Sequence, residues 1–505
     1  MDNSKQRKIG ILLSYISIIV STLIQLLYTP LLIRQLGQSE YGLYSLVSSI
    51  IGYLTILDLG FGNAIVVYTA KYNQKGEEEK ALKMQGMFKL IFLLIGLIAI
   101  ILGLVLYFNV NNIFGNTMTT IELSRMKTMM LILTFNLGIT FPFSIYSAVI
   151  TAFEKFTFLK VVSILNTLIK PIIMIPLLFL GFKSIAMCIV ITIVNVVILL
   201  TNYFYCSYIL KNKIKYKGFD KVIFKVIFSY SIWIFLNVIV DKVNWSLDQF
   251  ILGAVSGTLA VSVYSVASQI NSLFVNLSGA ISGVMLPKVS KMVASDVSTE
   301  ELTNEMIKVG RLQFYIIFLL ASGFLLIGRD FINIWAGKEY KDSFYVAILL
   351  ILPACVPLIQ NLAISICQAM NKHKFRAYIT TAMAFVNAIL SYFLAKKFGP
   401  IGSAIGTTFA IIVCNIIILN IYYHNNLKLN MIKFWSNIGK IFMPLFGYLM
   451  IIGIVKYLID FGNLWNLLFY GFIYTIGYFI ISVKYCANDY ESNIIKKLNF
   501  RKKVK

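Results

Sequence analysis

The sequence predicts an all-α polytopic membrane protein with fourteen transmembrane helices. Hydrophobic residues make up 59% of the 505 residues, and the mean hydropathy is +0.81. A soluble protein of this length could not bury so much apolar surface. Apolar runs of about 18 residues or more recur along the whole chain, and each is long enough to cross a bilayer as a helix.

The predicted spans follow one another with short loops, so no soluble catalytic or ATPase domain is expected. The first run is too long for a signal-peptide core and has no small-residue cleavage site, so we predict a retained helix. The fourteen spans are residues 9–33, 41–64, 86–108, 128–150, 158–180, 184–207, 226–252, 261–286, 309–328, 343–368, 376–396, 401–423, 438–459 and 465–484.

The basic residues predict how the chain is oriented. The net charge is +24, and 33 of the 45 Lys and Arg lie in or beside the loops on the N-terminal side of the membrane. Only 10 lie in or beside the opposite loops. Because Lys and Arg concentrate on the cytoplasmic side, both termini are predicted to be cytoplasmic. The charge therefore indicates orientation and contact with anionic lipids, not nucleic-acid binding.

An internal repeat predicts two parallel lobes. Residues 32–71 align without gaps onto residues 252–291, which pairs Gly37 with Gly257 and Tyr44 with Tyr264 at a constant offset of 220. Such repeats pack about an axis normal to the membrane, with the substrate path in a central cavity between them. The predicted parts are an N-lobe (1–210), a C-lobe (211–424) and two further spans with a basic tail (425–505).

Lys170 is the first candidate for a binding residue. It lies about ten residues from either end of its apolar run, roughly 15 Å along a helix, which is too far for the ammonium to reach the interface. A charge at this depth costs at least about 3 kcal/mol, so it is expected to face a wet cavity. The neighbouring Pro171 frees a backbone carbonyl and favours a kink. The alternative is a buried cation paired with an aspartate of another span.

Span 7 carries a cluster of polar residues in the sequence DKVNWSLDQ. Asp241, Trp245 and Asp248 have i, i+4, i+7 spacing and share one helical face, with Lys242 and Gln249 beside it. We predict Lys170, Lys242, Trp245 and Gln249 to be substrate-binding. Asp241 and Asp248 are predicted to couple transport to an ion. A purely structural Asp241–Lys242 pair, or a span that ends before Asp241, is the alternative.

Asp58 in span 2 is the third predicted ion-coupling carboxylate. It lies in LDLGFGN, where Gly60 and Gly62 permit a bend or close packing. An intramembrane carboxylate is a candidate for proton or cation binding. The alternative is a helix-packing carboxylate bonded to backbone. Arg34 and Arg125 are predicted to be interface anchors in external loops.

No catalytic or metal-binding motif is present. The sequence has no Walker A motif, no HExxH and no nucleophile elbow. Its six cysteines include no CxxC pair, and there are only two histidines. No enzyme activity, cofactor or metal is therefore predicted.

Several local sequences resemble the polysaccharide flippases of the multidrug/oligosaccharidyl-lipid/polysaccharide exporter superfamily. The similarity covers most of the chain. The segments that carry it are residues 30–44 (PLLIRQLGQSEYGLY), 56–60 (ILDLG), 68–72 (YTAKY), 248–253 (DQFILG) and 399–406 (GPIGSAIG).

The resemblance implies a flippase that turns an undecaprenyl-diphosphate-linked oligosaccharide across the bacterial inner membrane, for O-antigen or capsule synthesis. It also implies two lobes around a cationic central cavity, membrane lipids as surroundings, and a polysaccharide polymerase and glycosyltransferases as partners. The alternatives are an ion-coupled multidrug exporter or lipid II flippase of the same superfamily, and a membrane polysaccharide polymerase. A polymerase is disfavoured because the external loops are short.

Overall fold

The computed structural model is built from long helices. It describes residues 3–216, 218–370, 372–457 and 464–492, and within these ranges it contains no strand. The structure describes the backbone but not the side chains of some helical residues, among them residues 236–246. The predicted all-α membrane fold is confirmed.

Fifteen helices lie in the described ranges. In chain order they are α1 (Asn3–Leu36), α2 (Gln38–Leu54), α3 (Phe61–Gln74), α4 (Glu78–Phe114), α5 (Thr120–Ala152), α6 (Phe156–Phe179), α7 (Ser184–Phe204), α8 (Lys221–Ala294), α9 (Thr299–Trp335), α10 (Asp342–Ile359), α11 (Asn361–Ala369), α12 (His373–Ile411), α13 (Leu419–Asn425), α14 (Met431–Tyr457) and α15 (Leu464–Ile481). Short 3₁₀ turns occupy Thr55–Asp58 and Lys338–Tyr340, and π-helical turns occupy Tyr205–Ile209, Ile412–Ile418 and Ser482–Cys486.

Twelve helical segments of the described residues are long and apolar enough to cross a membrane. Two of the long helices are each interrupted by a glycine with non-helical angles, Gly257 in α8 and Gly399 in α12. At about 1.5 Å per residue, the 74 residues of α8 exceed the ~30 Å hydrocarbon core several-fold. Division at these glycines is consistent with the fourteen predicted spans.

Two compact units make up the chain. The first contains Met1–Ser265 and Ala388–Ser403, and the second contains Val266–Asn387 and Ala404–Lys505. In the first unit, α4 and α5 cross closely, since a Cβ atom on Gly96 would lie 2.6 Å from the carbonyl oxygen of Gly138. Small residues at such crossings let helix backbones approach each other. In the second unit, Tyr340, Phe434 and Tyr478 are among the fully buried side chains.

The two glycines paired by the predicted repeat have the same backbone conformation. Gly37 has φ 80° and ψ 164°, and Gly257 has φ 80° and ψ −174°. Each precedes a helical segment, and this region of φ/ψ space is open to glycine but not to residues with a Cβ. The equivalence of these two turns is the structural counterpart of the sequence offset.

Candidate substrate-binding and ion-coupling residues

Lys170 lies in α6, which packs against α1, α5 and α7. Its side chain is partly buried, and it forms no ion pair with Asp58, Asp248 or any other carboxylate of the described residues. The alternative of a structural pair is therefore not supported for the carboxylates that the structure describes. Pro171, the next residue, is buried within the same helix.

A polar stripe on α6 leads to Lys170. Ser163, Asn166 and Lys170 have i, i+3, i+7 spacing, so they share one face of the helix. The Oδ1 atom of Asn166 is buried and accepts no hydrogen bond. A buried amide oxygen without a donor is costly, which makes Asn166 a further polar group available to a ligand. The sequence analysis missed Asn166, although its spacing from Lys170 was visible.

Asp58 lies at a break in the second predicted span. Helix α2 ends at Leu54, and Asp58 closes a 3₁₀ turn that is followed by left-handed backbone at Leu59 (φ 53°) and Gly60 (φ 74°). A Cβ atom on Gly62 would lie 3.6 Å from Asp58 Oδ1, so the carboxylate adjoins the first turn of α3. The N-terminal end of a helix favours a negative charge there.

Asp248 is a buried carboxylate of α8, with 2% of its surface exposed. Its Oδ2 accepts a hydrogen bond of 2.7 Å from the Tyr264 hydroxyl, and its Oδ1 accepts one of 2.7 Å from Ser403. The adjacent Gln249 donates to Ser265 Oγ at 3.2 Å. Asp248 and Gln249 precede Gly257, whereas Tyr264 and Ser265 follow it and Ser403 belongs to α12, so the site links three helical segments. Sequence periodicity alone gave no sign of Tyr264 or Ser403 as partners.

The other three predicted site residues lie in α8, but their side chains are outside the described residues. These are Asp241, Lys242 and Trp245. The helical backbone continues through this segment, so these residues do not lie in a loop. The roles of these residues stay predictions. Among the residues that the structure does describe, no three His, Cys, Asp or Glu side chains group together as metal ligands.

Arg125 is not the loop anchor that the sequence predicts. It lies in the second turn of α5, and its Nη1 is 2.5 Å from Oε2 of the buried Glu40 at the start of α2. The hydroxyl of Ser184, the first residue of α7, donates to the other oxygen of Glu40. The pairing joins residues 85 apart in the chain, which no local pattern could reveal.

The chain is similar to proteins named for polysaccharide transport, capsular polysaccharide biosynthesis and flipping. A Shigella flexneri protein named for O-antigen transport is 23% identical over 405 residues, covering 78% of this chain and 92% of its own. The capsular polysaccharide biosynthesis protein CapF of Staphylococcus aureus is 24% identical over 205 residues, 40% of this chain and 50% of its own. A Haloferax volcanii protein named as the flippase AglR is 30% identical over 176 residues, 32% of this chain and 34% of its own.

Solved structures show the same fold. The lipid II flippase MurJ in an inward closed conformation superposes with a TM-score of 0.71 at 20% identity, covering 93% of this chain and 97% of that one. An inward-facing multidrug resistance MATE family transporter of the MOP superfamily gives 0.61 at 14% identity, covering 82% and 99%. The names of these proteins describe transporters and flippases, not enzymes.

The family model described as "Polysaccharide biosynthesis protein" matches residues 8–293, from the start of α1 to the end of α8. The match covers more than half of the chain and includes the break at Asp58, Lys170 and the buried Asp248. The chain therefore belongs to the polysaccharide biosynthesis protein family, as the resemblance of its local sequences predicts.

Proposed function

We propose that the protein flips a lipid-linked oligosaccharide, carried on undecaprenyl diphosphate, across the bacterial cytoplasmic membrane for surface polysaccharide synthesis. Family membership and the relatives named for O-antigen transport and capsular polysaccharide biosynthesis support a flippase of this pathway. The observation that carries the choice of an anionic lipid is Lys170, a cation deep in its helix with no carboxylate partner among the described residues.

Lys170 is suited to contact the diphosphate of the carrier. An unpaired ammonium in hydrocarbon costs at least about 3 kcal/mol, and a bound anion removes much of that cost. Pro171 removes one backbone donor, which leaves the carbonyl of Thr167 without its helical partner. Asn166, one turn before Lys170, adds a buried amide oxygen. Together these groups offer a cation for phosphate and acceptors for sugar hydroxyls.

Substitution of Lys170 tests this function. Lys170→Ala should abolish polymer export without lowering the amount of protein in the membrane, and Lys170→Arg should retain part of it. Lys160→Ala, a partly buried lysine of the same helix, is the matched control and should export normally. Normal export by Lys170→Ala would reject the anion site.

A reconstituted assay tests the substrate itself. Proteoliposomes should flip a fluorescent oligosaccharide on undecaprenyl diphosphate, and Lys170→Ala should slow that flipping at least tenfold. Transport of lipid II or of a cationic drug in place of the oligosaccharide would instead point to the other members of the superfamily.

We further propose that an ion gradient drives directed export through Asp58, Asp241 or Asp248. A buried carboxylate that takes up a proton or sodium ion favours one conformation over another. Asp241 is the first choice because it lies deepest in its predicted span, and Asp248 is the one whose burial and hydroxyl partners are described. Flipping by the wild type should respond to an imposed pH or sodium gradient. Persistence of that response in all three Asn variants would exclude these residues.

The membrane topology and the three-part division of the chain remain part of the proposal. Both termini are placed in the cytoplasm, with lobes of residues 1–210 and 211–424 and an appendix of residues 425–505. Cysteines introduced at Lys75 and Lys213 should react only from the cytoplasm, and those at Gln38 and Gly115 only from outside. Reaction of any of them from the opposite side would contradict the fourteen-span topology.

A polymerase and glycosyltransferases of the same pathway are the expected partners.

A further inference from the structure

The carboxylate of Glu122, at one end of the first unit, accepts hydrogen bonds from residues at the N-terminal ends of three helical segments. Glu122, in the first turn of α5, accepts from the hydroxyls of Ser39 (2.5 Å) and Thr258 (2.7 Å) through Oε1. Its Oε2 accepts from the backbone amide (2.8 Å) and hydroxyl (2.9 Å) of Thr119. The Ser39 and Thr258 oxygens are themselves 3.3 Å apart. Glu122 thus joins α2, α5 and the second part of α8.

Two of these helix starts are equivalent in the internal repeat. Ser39 lies in the first turn after Gly37, and Thr258 directly follows Gly257, the partner of Gly37 at offset 220. Helix N-termini carry unpaired N–H groups and the positive end of the helix dipole. A single negative charge at the meeting point of two such ends stabilises their approach.

The packing around this cluster leaves no room for side chains. A Cβ atom on Gly42 would lie 1.9 Å from the carbonyl oxygen of Thr258, and one on Gly257 would lie 2.8 Å from that of Thr117. The Thr117 hydroxyl donates to the Gly253 carbonyl at 2.8 Å. Thr258 has only 4% of its surface exposed. The backbone of α8 near Gly257 is therefore packed directly against α2 and the turn before α5.

Glu40 is a second carboxylate at this end, and it connects other helices. Glu40 binds Arg125 of α5 and Ser184 of α7, so its contacts stay within the first six predicted spans. These contacts brace the proposed N-lobe and do not involve α8. Of the two acidic side chains at this end, only Glu122 bonds to a residue of the proposed C-lobe, Thr258, among the contacts that the structure describes.

We propose that the Glu122–Thr258 hydrogen bond is a latch that closes this end of the protein and must break when the end opens. The inference rests on the proposed flippase function, because a transporter must open its two ends in turn. A hydroxyl bonded to a carboxylate is a strong yet easily reversed contact, since water can replace it once the helices separate. The close packing around the hydrogen bond then excludes solvent from this end, and the Glu122–Thr258 bond determines what fraction of the protein is open there.

Cysteine accessibility measures the latch directly. Ser262 lies one turn after Thr258, has no exposed surface, and faces Gly42 of α2. In a variant without the six native cysteines, Ser262→Cys should react slowly with a membrane-impermeant maleimide. Adding Thr258→Val should speed the reaction about tenfold, the effect of losing one charge-assisted hydrogen bond. Glu122→Gln should act in the same direction.

Two controls separate the latch from a general loss of packing. Thr258→Ser keeps the hydroxyl and should react at the parent rate. Thr128→Val makes the same change at an exposed threonine whose hydroxyl bonds only to its own helix, and it should also leave the rate unchanged. Equal rates for Thr258→Val and Thr258→Ser would overturn the proposal.

A cross-link tests whether the latch must open during transport. Ser39→Cys with Thr258→Cys should form a disulfide on oxidation, because the two hydroxyl oxygens are 3.3 Å apart. Flipping in proteoliposomes should then stop and resume on reduction, and continued flipping by the cross-linked protein would overturn the latch. The labelling experiment needs no substrate. If wild-type protein flips no oligosaccharide while Thr258→Val still exposes Ser262→Cys, the proposed function fails and the latch stands.

Discussion

The C-terminal helices are anchored to α9 by an ion pair that is almost fully buried. Arg311 of α9 and Glu491, which follows α15, have 3% and 5% of their side-chain surfaces exposed. Arg311 Nε and Nη2 donate to the two carboxylate oxygens of Glu491 at 2.7 Å each. Nη2 also donates to the Cys486 carbonyl at 2.7 Å, and Nη1 to that of Asn437 in α14 at 3.2 Å. One guanidinium thus connects α9 with both appended helices.

Glu491→Gln should destabilise the protein strongly. The substitution keeps the shape of the side chain but leaves the guanidinium buried without a counter-charge. Breaking such a pair costs about 3–5 kcal/mol, which is a change in the unfolding equilibrium of roughly 10²-fold to 4 × 10³-fold. The carbonyl bonds of Arg311 remain and place the expected value at the lower end of this range.

An exposed ion pair on the same helix provides the matched control. Lys433 Nζ lies 3.3 Å from Glu300 Oε1, and the side chain of Glu300 is 76% exposed. Glu300→Gln should therefore cost no more than about 1 kcal/mol. The measurement is the fraction of detergent-solubilised protein that stays monodisperse after heating, recorded by fluorescence-detected size exclusion over a temperature series.

The double variant Arg311→Met with Glu491→Gln tests whether the unpaired guanidinium causes the loss of stability. It removes the uncompensated charge, so it should recover part of the stability lost in Glu491→Gln alone. If Glu491→Gln lowers the unfolding temperature no more than Glu300→Gln, the pair contributes little. The appended helices would then be held by their other contacts with α9, such as the Lys456–Asp330 ion pair and the hydrogen bond from the Tyr478 hydroxyl to the Tyr315 carbonyl.

Two further predictions concern packing and pH. Gly42→Ala should destabilise the protein by about 1–3 kcal/mol, because its Cβ would meet the Thr258 carbonyl, whereas Gly439→Ala, with open space around it, should be neutral or stabilising in the same heating assay. Equal effects of the two alanines would contradict the close approach. The backbone amide of Ile223 and the Lys83 ammonium hold the pKa of the Asp220 carboxyl below its ordinary value. Its stabilising effect is therefore complete above the unfolded-state pKa and is lost only as the pH falls through the lower folded-state pKa. The stability difference between wild type and Asp220→Asn should stay constant from pH 5 to 8, and a change across that range would refute this.

The sequence predicted the features that depend on local composition and period. Apolar length fixes where a helix can cross a bilayer, so the predicted span 158–180 is close to the observed α6 (Phe156–Phe179). The offset of 220 found two turns, at Gly37 and Gly257, that have the same conformation. Both results follow from constraints that act over a few residues, namely hydrophobic periodicity and the backbone freedom of glycine.

The contacts that the sequence missed join residues far apart in the chain. Asp248 and Ser403 are 155 residues apart, and Glu122 and Thr258 are 136 apart. Whether a polar residue in an apolar helix faces lipid, a cavity or another side chain is decided by the packing of several helices. Its own neighbours in sequence do not contain that information, which is why Arg125 was predicted to be an interface anchor in a loop.

The helix break at Asp58 was only partly predictable from the local sequence. Gly60 and Gly62 indicated that the helix could bend, but the left-handed Leu59, a residue that seldom adopts positive φ, gave no warning. A strained turn in a membrane span persists only where surrounding structure compensates for it, and irregular backbone at that depth lies in protein or along a cavity. Asp58 therefore lies at a backbone break between α2 and α3, which is the observation behind its proposed ion-coupling role. The gradient assay on Asp58→Asn measures whether this carboxylate takes part in coupling.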